Sequence, residues 1–266
     1  MNRIQKKFSE LKKQKKKALI FFLTAGDPNL KKTEELVLEF EKQGADLIEI
    51  GVPFSDPLAD GPIIQASSYR ALKKGTNTEK ILSLVKRLRQ KSEIPLLLMT
   101  YLNPIFHYGL ERFAKKAKAC GVDGLIVPDL PPEEGRDLER LTRRLGIDLV
   151  YLLAPTSVKK RQKMIVSASR GFVYFVSLTG VTGSQSAGAH SIRGVLGSAR
   201  RMAKIPVCAG FGIRTPKDAK NMAAISDGVI IGSAAVQAAA KKPHESASIF
   251  AKRFVRPFAR ALGKSL

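Results

Sequence analysis

Short apolar runs alternate with amphipathic segments along the whole chain. The runs show little polar alternation, which is typical of strands that are buried on both faces, as in a parallel sheet. Eight such runs follow one another, at residues 18–26, 46–51, 94–101, 124–129, 148–154, 172–177, 205–210 and 228–233. The pattern therefore predicts eight parallel strands with helices between them.

The segments between the runs carry helical signals. Residues 30–44 and 133–146 are amphipathic, and both end on a glycine, the residue favoured where a helix turns out through a left-handed conformation. No composition break or flexible linker separates the units. We therefore predict an α/β chain folded as one (β/α)₈ TIM barrel over residues 1–266. The alternative is an open doubly wound sheet, but its GxGxxG fingerprint is absent after the first run, where GDPN follows.

Two additions to the plain barrel are expected. Residues 1–17 form a basic N-terminal extension in which Ile4, Phe8 and Leu11 have the spacing of a one-sided apolar stripe, which predicts an extra helix before the first strand. The gap between the second and third strands holds two helical stretches around Gly75, so an additional helix is predicted there.

The charge balance is strongly basic. Lysine and arginine number 46 against 23 aspartates and glutamates, a formal net charge of +23. Such proteins often bind nucleic acid or acidic membranes. Here the lysines are spread along the chain. The densest run, residues 6–17, leaves contact with an anionic polymer such as nucleic acid as an alternative, but no basic patch is rich in the aromatic residues that stack on bases. We interpret the charge as solvated helix surface and predict neither a nucleic-acid nor a membrane partner.

The cysteines and the chain ends bear on location. Cys120 and Cys208 are too few for a disulfide framework and lie in apolar surroundings, which predicts buried free thiols in a reducing compartment. No apolar run approaches the length of a membrane span, and the N-terminus lacks the apolar core of a signal peptide. The predicted location is the cytoplasm.

One acid stands inside a predicted strand. Strand side chains alternate, so Leu47, Glu49 and Gly51 face one way while Ile48 and Ile50 face the other. The isoleucines suit packing against helices, which leaves Glu49 directed into the mouth of the barrel, where active sites of this fold lie. Burial should raise its pKa and let it hold a proton near neutrality. A buried pair with a basic residue is the alternative, but no predicted strand carries lysine or arginine.

Three aspartates follow strands. Asp60 precedes Gly61 and Pro62, where a proline can begin a helix, so it is either a functional residue or a helix N-cap. Asp27 and Asp129 are interpreted as turn or cap residues, because Asp27 precedes proline and Asp129 lies within PDLPPEE.

Glycines mark the ends of the last strands. The stretches AGFGIRTP (209–216) and IIGSAAV (230–236) place glycine at a strand end just before a helix, where backbone N–H groups can hold an anion. A third glycine-rich stretch, residues 178–190, is long enough to form a lid. Loops after the seventh and eighth strands are a recurrent phosphate site of barrels, so a phosphorylated small substrate is predicted.

Absences narrow the chemistry further. No predicted strand contains a lysine for a Schiff base, and the three histidines are too scattered to form a pair with metal-ligand spacing. No nicotinamide or flavin fingerprint occurs. The residues alone therefore predict acid–base chemistry on a phosphorylated substrate, with no metal and no cofactor in this chain.

The stretch IEIGVPFSDPLADGP (48–62) resembles the signature of the tryptophan synthase alpha chain family. FLTAGDP, VPDLPPEE, SLTGVTG, GFGI and IIGSA occur in that family's order and spacing, so the resemblance covers essentially the whole chain. It implies retro-aldol cleavage of indole-3-glycerol phosphate to indole and glyceraldehyde 3-phosphate. In that interpretation Glu49 is the general acid on the indole carbon, and Asp60 stays ionised and accepts the indole N–H.

The same resemblance implies roles for further residues. The indole pocket would be lined by Phe22, Tyr101 and Tyr174. Thr182 would help to close the lid over Asp60. The phosphate would be held by Gly183, Gly212, Gly232 and Ser233.

The resemblance also implies a partner. The family works with a pyridoxal-phosphate beta chain in an α₂β₂ heterotetramer, and indole passes directly to that chain for synthesis of tryptophan. The residues near this interface would be Pro53, Asp56, Pro57, Asn103 and Pro131.

Alternatives to the lyase interpretation remain. A catalytically degenerate subunit that only activates its beta partner is one, although every matched functional residue is present. Another phosphate-binding barrel, such as an isomerase, is possible on fold alone. Some relatives carry arginine at the start of the lid, where this chain has Leu178, so a lid salt bridge is in doubt.

Overall fold

Nine parallel strands form one sheet in the computed structural model, which describes residues 1–176, 187–210 and 212–264. The strands are β1 (Ala18–Thr24), β2 (Leu47–Gly51), β3 (Leu96–Met99), β4 (Gly124–Ile126), β5 (Asp148–Val150), β6 (Leu152–Leu153), β7 (Val173–Phe175), β8 (Val207–Ala209) and β9 (Gly228–Ile231). Their order in the sheet is β5-β4-β3-β2-β1-β9-β8-β7-β6. Each of the eight predicted strands is confirmed, the fifth in two pieces.

The sheet closes where those two pieces meet. Only Tyr151 separates β5 from β6, and these are the two ends of the strand order. The Tyr174 N–H of β7 donates to the carbonyl oxygen of Tyr151 at 3.1 Å, and the Val176 N–H donates to that of Leu153 at 2.9 Å. One continuous segment thus bonds to β4 on one side and to β7 on the other. The predicted TIM barrel is confirmed.

The described residues form twelve helices around the barrel. They are α1 (Arg3–Lys13), α2 (Leu30–Lys42), α3 (Pro62–Lys73), α4 (Thr78–Arg89), α5 (Leu102–Tyr108), α6 (Leu110–Cys120), α7 (Arg136–Leu145), α8 (Lys159–Ala168), α9 (Ala187–Met202), α10 (Pro216–Ala223), α11 (Ser233–Lys241) and α12 (Ala247–Ala261). The predicted N-terminal helix is confirmed as α1. The predicted additional helix between the second and third strands is confirmed too, since both α3 and α4 lie there. The sequence analysis did not predict α5.

Local signals explain where these helices begin and end. Asn29 caps α2 by accepting a hydrogen bond from the Lys32 N–H, and the chain leaves this helix through Gly44, whose φ is +95°. Gly146, with φ +67°, ends α7 in the same left-handed way. Both glycines are the ones that the sequence pattern singled out.

Two apolar cores lie on opposite faces of the sheet. Ile48 and Ile50 belong to the larger core, between the strands and the surrounding helices. Leu47 belongs to the smaller core inside the barrel. The alternation predicted for β2 is therefore confirmed.

Helix α1 closes the N-terminal end of the barrel. Its predicted apolar stripe, Ile4, Phe8 and Leu11, is buried in the interior core, where the Phe8 ring lies 5.9 Å from the Phe172 ring between centroids. Burial of side chains of this size contributes roughly 1.5–3 kcal/mol each. Helix α1 thus covers the amino ends of the strands with apolar side chains.

The cysteines lie in the cores, as predicted. Cys120 and Cys208 are buried free thiols. Across the described part of the chain, every helix is too short or too polar to cross a membrane.

Candidate active site

Glu49 is a fully buried acid inside the barrel. It lies on β2 two residues before the strand ends, and none of its side chain is exposed. Neither carboxyl oxygen has a hydrogen-bond partner among the described residues. Burial raises the pKa of Glu49 to about 8, because the ionised form loses its hydration in the apolar interior. The paired-glutamate alternative is therefore wrong, and the carboxyl holds a proton at neutral pH.

Aromatic side chains surround this acid. Phe22 of β1 is in register with Glu49, and its ring lies against Gly51, where an added Cβ would be only 2.3 Å from the Phe22 Cζ. Tyr174 of β7 is buried too, and its pKa is raised first by burial and then by the negative charge of Glu49. Phe22 and Tyr174, the predicted pocket residues, thus lie beside Glu49. The ring of Phe22 requires glycine at position 51, because any Cβ there would overlap it.

Asp60 is positioned by Tyr101. The Tyr101 hydroxyl accepts a hydrogen bond from the Ala59 N–H at 2.9 Å, and its ring packs on Phe54 with 5.3 Å between centroids. Burial raises the pKa of Asp60 to about 6, and a hydrogen bond with the Tyr101 side chain works in the opposite direction. Since Gly61 is the N-cap of α3 and Pro62 its first residue, the N-cap interpretation of Asp60 is wrong.

The two acids differ in charge at neutral pH. With pKa values near 8 and 6, Glu49 is mainly protonated and Asp60 mainly ionised. The charges of both act on the Tyr174 hydroxyl and raise its pKa, which places them around the same pocket. A proton donor and a negative charge therefore lie near the same aromatic side chain, an arrangement suited to acid–base catalysis on an aromatic substrate.

The predicted phosphate residues lie at the ends of the last two strands. Gly232 is the N-cap of α11 and Ser233 its first residue, so unpaired backbone N–H groups point outward from this helix. An added Cβ at Gly232 would be 3.7 Å from the Phe22 Cβ, which places the helix end next to the aromatic pocket. Gly212, after β8, is exposed and has a left-handed φ of +62°, which glycine adopts without strain. Thr182, Gly183 and Leu178 lie outside the described residues.

The other two aspartates have structural roles: Asp27 lies in the predicted turn after β1 and pairs with Arg70, and Asp129 caps a helix, as predicted. Asp27 accepts two hydrogen bonds from Arg70, at 3.0 Å from Nε and 2.6 Å from the second guanidinium nitrogen. Asp129 accepts from the Leu102 N–H at 3.0 and 3.1 Å and so caps α5 from a distant loop.

The residues predicted to face a partner follow β2, β3 and β4, with Asn103 in helix α5 and the others in loops. Pro53 is buried, Asp56 and Asn103 are exposed, and Pro57 and Pro131 are half-buried. Two apolar side chains that the sequence analysis missed accompany them: Leu58 is 94% exposed and Phe106 is 70% exposed. Leu58 follows β2 and Phe106 follows β3, so both lie at the same end of the barrel as the predicted contact residues.

Three further residues of the site were missed. Gly51 and Gly210 leave room for aromatic rings, since an added Cβ at Gly210 would be 2.6 Å from the Tyr174 hydroxyl oxygen. Phe54 supports the ring of Tyr101. A glycine at the end of a strand was the only available signal, and it does not indicate which ring it accommodates. No cluster of three histidine, cysteine or carboxylate side chains that could hold a metal occurs in the described ranges.

The raised pKa of Glu49 has a consequence for stability. Below the ordinary pKa of glutamic acid the folded and unfolded states both bind the proton, and above about 8 both release it; between these values only the folded state holds it. The free energy of unfolding of the wild type should therefore fall with rising pH, relative to Glu49→Gln, by up to about 1.4 kcal/mol per pH unit in this window. Denaturant unfolding of both proteins between pH 4.5 and 8.5 measures this difference. Parallel pH profiles of the two proteins would contradict the assigned pKa.

Comparisons with known proteins agree with this geometry. A family model described as "Tryptophan synthase alpha chain" matches residues 8–261. A tryptophan synthase alpha chain from Geobacter sp. (strain M21) is 52% identical over 237 residues, 89% of each chain. The crystal structure of tryptophan synthase subunit alpha from Legionella pneumophila str. Paris superposes with a TM-score of 0.92 at 35% identity, covering 99% of both chains. A Mycobacterium tuberculosis tryptophan synthase structure gives 0.89 at 32% identity, covering 98% of both.

Proposed function

Since the chain belongs to the tryptophan synthase alpha chain family, we propose that Glu49 and Asp60 are the catalytic pair of its lyase reaction. The reaction is cleavage of indole-3-glycerol phosphate to indole and glyceraldehyde 3-phosphate, within tryptophan biosynthesis. The observation that carries the residue assignment is the fully buried Glu49, whose carboxyl oxygens have no partner among the described residues and whose pKa is about 8.

Glu49 transfers protons in both halves of the reaction. Its carboxyl first donates a proton to the indole carbon that bears the side chain, and the ring becomes a cation with its charge centred on nitrogen. The resulting carboxylate then accepts the proton of the adjacent hydroxyl group. The carbon–carbon bond breaks, its electron pair returns to the ring, and indole and an aldehyde are released. Glu49 ends protonated, as it began, so the cycle balances.

Asp60 stabilises the charge that develops between these steps. Its ionised carboxylate accepts the indole N–H, and the attraction grows as the ring nitrogen becomes positive. The hydrogen bond from the Ala59 N–H to Tyr101 fixes the loop that carries it. Phe22, Tyr101 and Tyr174 enclose the ring and exclude water, which strengthens this attraction.

The phosphate is assigned to the ends of β8 and β9. Gly212, Gly232 and Ser233 would hold it with backbone N–H groups and one hydroxyl, at the start of α11 beside Phe22. Gly183 and Thr182 are assigned to the same end of the substrate from the family resemblance.

A beta chain is the proposed partner. The contact surface would be formed by Pro53, Asp56, Pro57, Asn103 and Pro131, with the exposed Leu58 and Phe106. Pyridoxal phosphate would belong to that beta chain, and this chain would need no cofactor. We further propose an α₂β₂ assembly, a cytoplasmic location and a single domain spanning residues 1–266.

A cleavage assay with and without the beta chain tests the proposed function. We expect indole release from indole-3-glycerol phosphate by the purified chain alone, increased when the beta chain is added. Absence of indole release under both conditions, together with stimulation of the beta chain's own reaction, would instead establish a subunit that only activates its partner.

A further inference from the structure

A second large cavity lies at the end of the barrel opposite the active site. Its volume is about 940 Å³, within the usual range of small-molecule sites. Lys17, Gly171, Pro206 and Asp227, which line it, come just before strands β1, β7, β8 and β9, so it lies at the amino ends of the strands. Helix α1 forms one wall and the last turn of α9 another.

Positive charge dominates this cavity. Asp227 is the one carboxylate among its lining residues, and the cations are Lys12, Lys15, Lys16, Lys17, Arg200, Arg201 and Lys204. Asp227 is already paired, at 2.7 Å from an Arg200 guanidinium nitrogen and 3.8 Å from the Lys17 Nζ. The other five cations form no ion pair within the described ranges, so the cavity keeps an excess of uncompensated charge.

This excess is local and does not follow from the basic composition. A neighbouring cavity of about 340 Å³ shares Leu11 and Lys16 with the larger one. Its charged lining residues are three cations and four carboxylates, namely Lys7, Lys16, Lys264, Glu10, Glu41, Asp46 and Glu93. Two adjacent cavities of one basic protein therefore differ in sign, and only the larger one concentrates positive charge.

The stabilising effect of cations at helix C-terminal ends explains only some of the positive residues in this cavity. Lys12 lies in the last turn of α1, and Arg200 and Arg201 lie in the last turn of α9, where cations stabilise the helix dipole. Lys15, Lys16 and Lys204 lie beyond these turns.

Lys15 occupies a conformation that glycine would adopt more easily. Its φ is +54°, the one positive φ of a residue other than glycine in the described part of the chain. The Lys16 N–H donates to the Leu11 carbonyl oxygen at 2.9 Å, which makes this a Schellman ending with lysine at the glycine position. The lysine side chain is retained there at a cost in backbone strain.

The floor of the cavity is apolar. Phe8, Leu11, Ile205 and Pro206 contribute to it, and Ile205 and Pro206 are half-buried, so apolar surface is available to the organic part of a ligand. Cations from two stretches of the chain, residues 12–17 and 200–204, line one compact cavity. We propose that this cavity binds a small organic polyphosphate of the nucleoside triphosphate class, with phosphates on the lysines and arginines and the organic part on the apolar floor.

The affinity for ATP, measured by calorimetry on the full chain, tests this proposal. Glyceraldehyde 3-phosphate is added to occupy the site at the other end. The variant Lys12→Gln/Lys15→Gln/Lys204→Gln should bind ATP at least tenfold more weakly than the wild type. The matched control, Lys159→Gln/Lys160→Gln/Lys163→Gln, removes three exposed charges from α8 and should stay within twofold of the wild type. Equal losses in the two variants would overturn the proposal, because net charge alone would then explain binding.

Three further measurements complete the test. Lys15→Gly should weaken ATP binding without lowering the melting temperature, since glycine relieves the left-handed strain. A lower melting temperature or an unchanged ATP affinity would count against the role of Lys15. Inorganic tripolyphosphate should bind more weakly than ATP, and equal affinity would refute the organic class. Tighter and cavity-dependent binding of a 20-nucleotide RNA would refute a small ligand in favour of nucleic acid. The difference between the two triple lysine variants does not depend on the lyase assignment, because both keep the residues of the active site.

Discussion

Glu49→Gln is expected to lower the kcat for indole release by about 100- to 10,000-fold, the range typical of a lost general acid or base. The amide fills the same volume but cannot donate a proton to the indole carbon or accept one from the hydroxyl group. KM should change little, because the neutral carboxyl and the amide have similar shape and polarity. Steady-state kinetics in the presence of the beta chain measures both constants.

The Glu49→Gln variant can distinguish a loss of catalysis from a loss of folding. Because Glu49 is buried without a partner among the described residues, its replacement should not destabilise the protein, and the variant should still activate the beta chain. Glu111→Gln serves as the matched control, since Glu111 is exposed on α6 and pairs only with Lys115. Near-wild-type indole release by Glu49→Gln would show that another group supplies the proton.

Asp60→Asn is expected to lower kcat by roughly 100- to 1,000-fold, as does removal of a single group that stabilises transition-state charge. The amide oxygen can still accept the indole N–H, but it lacks the negative charge that opposes the developing cation. The wild-type pH profile of kcat/KM should be bell-shaped, with limbs near 6 and 8 that follow the two pKa values. Asp60→Asn should lose the acidic limb and keep the alkaline one.

A neighbour on the same loop provides the control. Asp56→Asn removes a carboxylate that is exposed to solvent, and without the beta chain it should leave indole release unchanged. If Asp60→Asn retains the acidic limb, then that limb belongs to another group. If both variants lose activity equally, the effect arises from the loop's conformation and not from the charge at Asp60.

Much of the fold could be predicted because its signals are local. Buried parallel strands require apolar runs, and these runs located all eight strands of the barrel. The alternation of Ile48 and Ile50 around Glu49 was enough to direct that acid inward. The cap interpretation of Asp129 also held, since it accepts a hydrogen bond from the Leu102 N–H, whereas the carboxylate of Asp27 pairs with Arg70.

What the sequence did not show depends on contacts between distant segments. Helix α5 has seven residues and contains Pro104, and its cap comes from Asp129, 27 residues from Leu102. The Tyr101 hydroxyl is engaged by a loop more than 40 residues away, which no pattern around Asp60 indicates. Helix α12 went unassigned although Phe250, Phe254 and Phe258 follow helical spacing, and their rings pack at 5.5 and 5.3 Å.

The unpartnered carboxyl of Glu49 also defines how an inhibitor should be built. A protonated acid in an aromatic cavity offers one hydrogen to an acceptor on the ligand, while Asp60 nearby offers a negative charge to a donor. A flat, uncharged heterocycle with an acceptor on one edge and an N–H on the other satisfies both groups. A compound that carries a carboxylate is repelled by Asp60. The pocket therefore selects ligands by the positions of their hydrogen-bond donor and acceptor more than by their size.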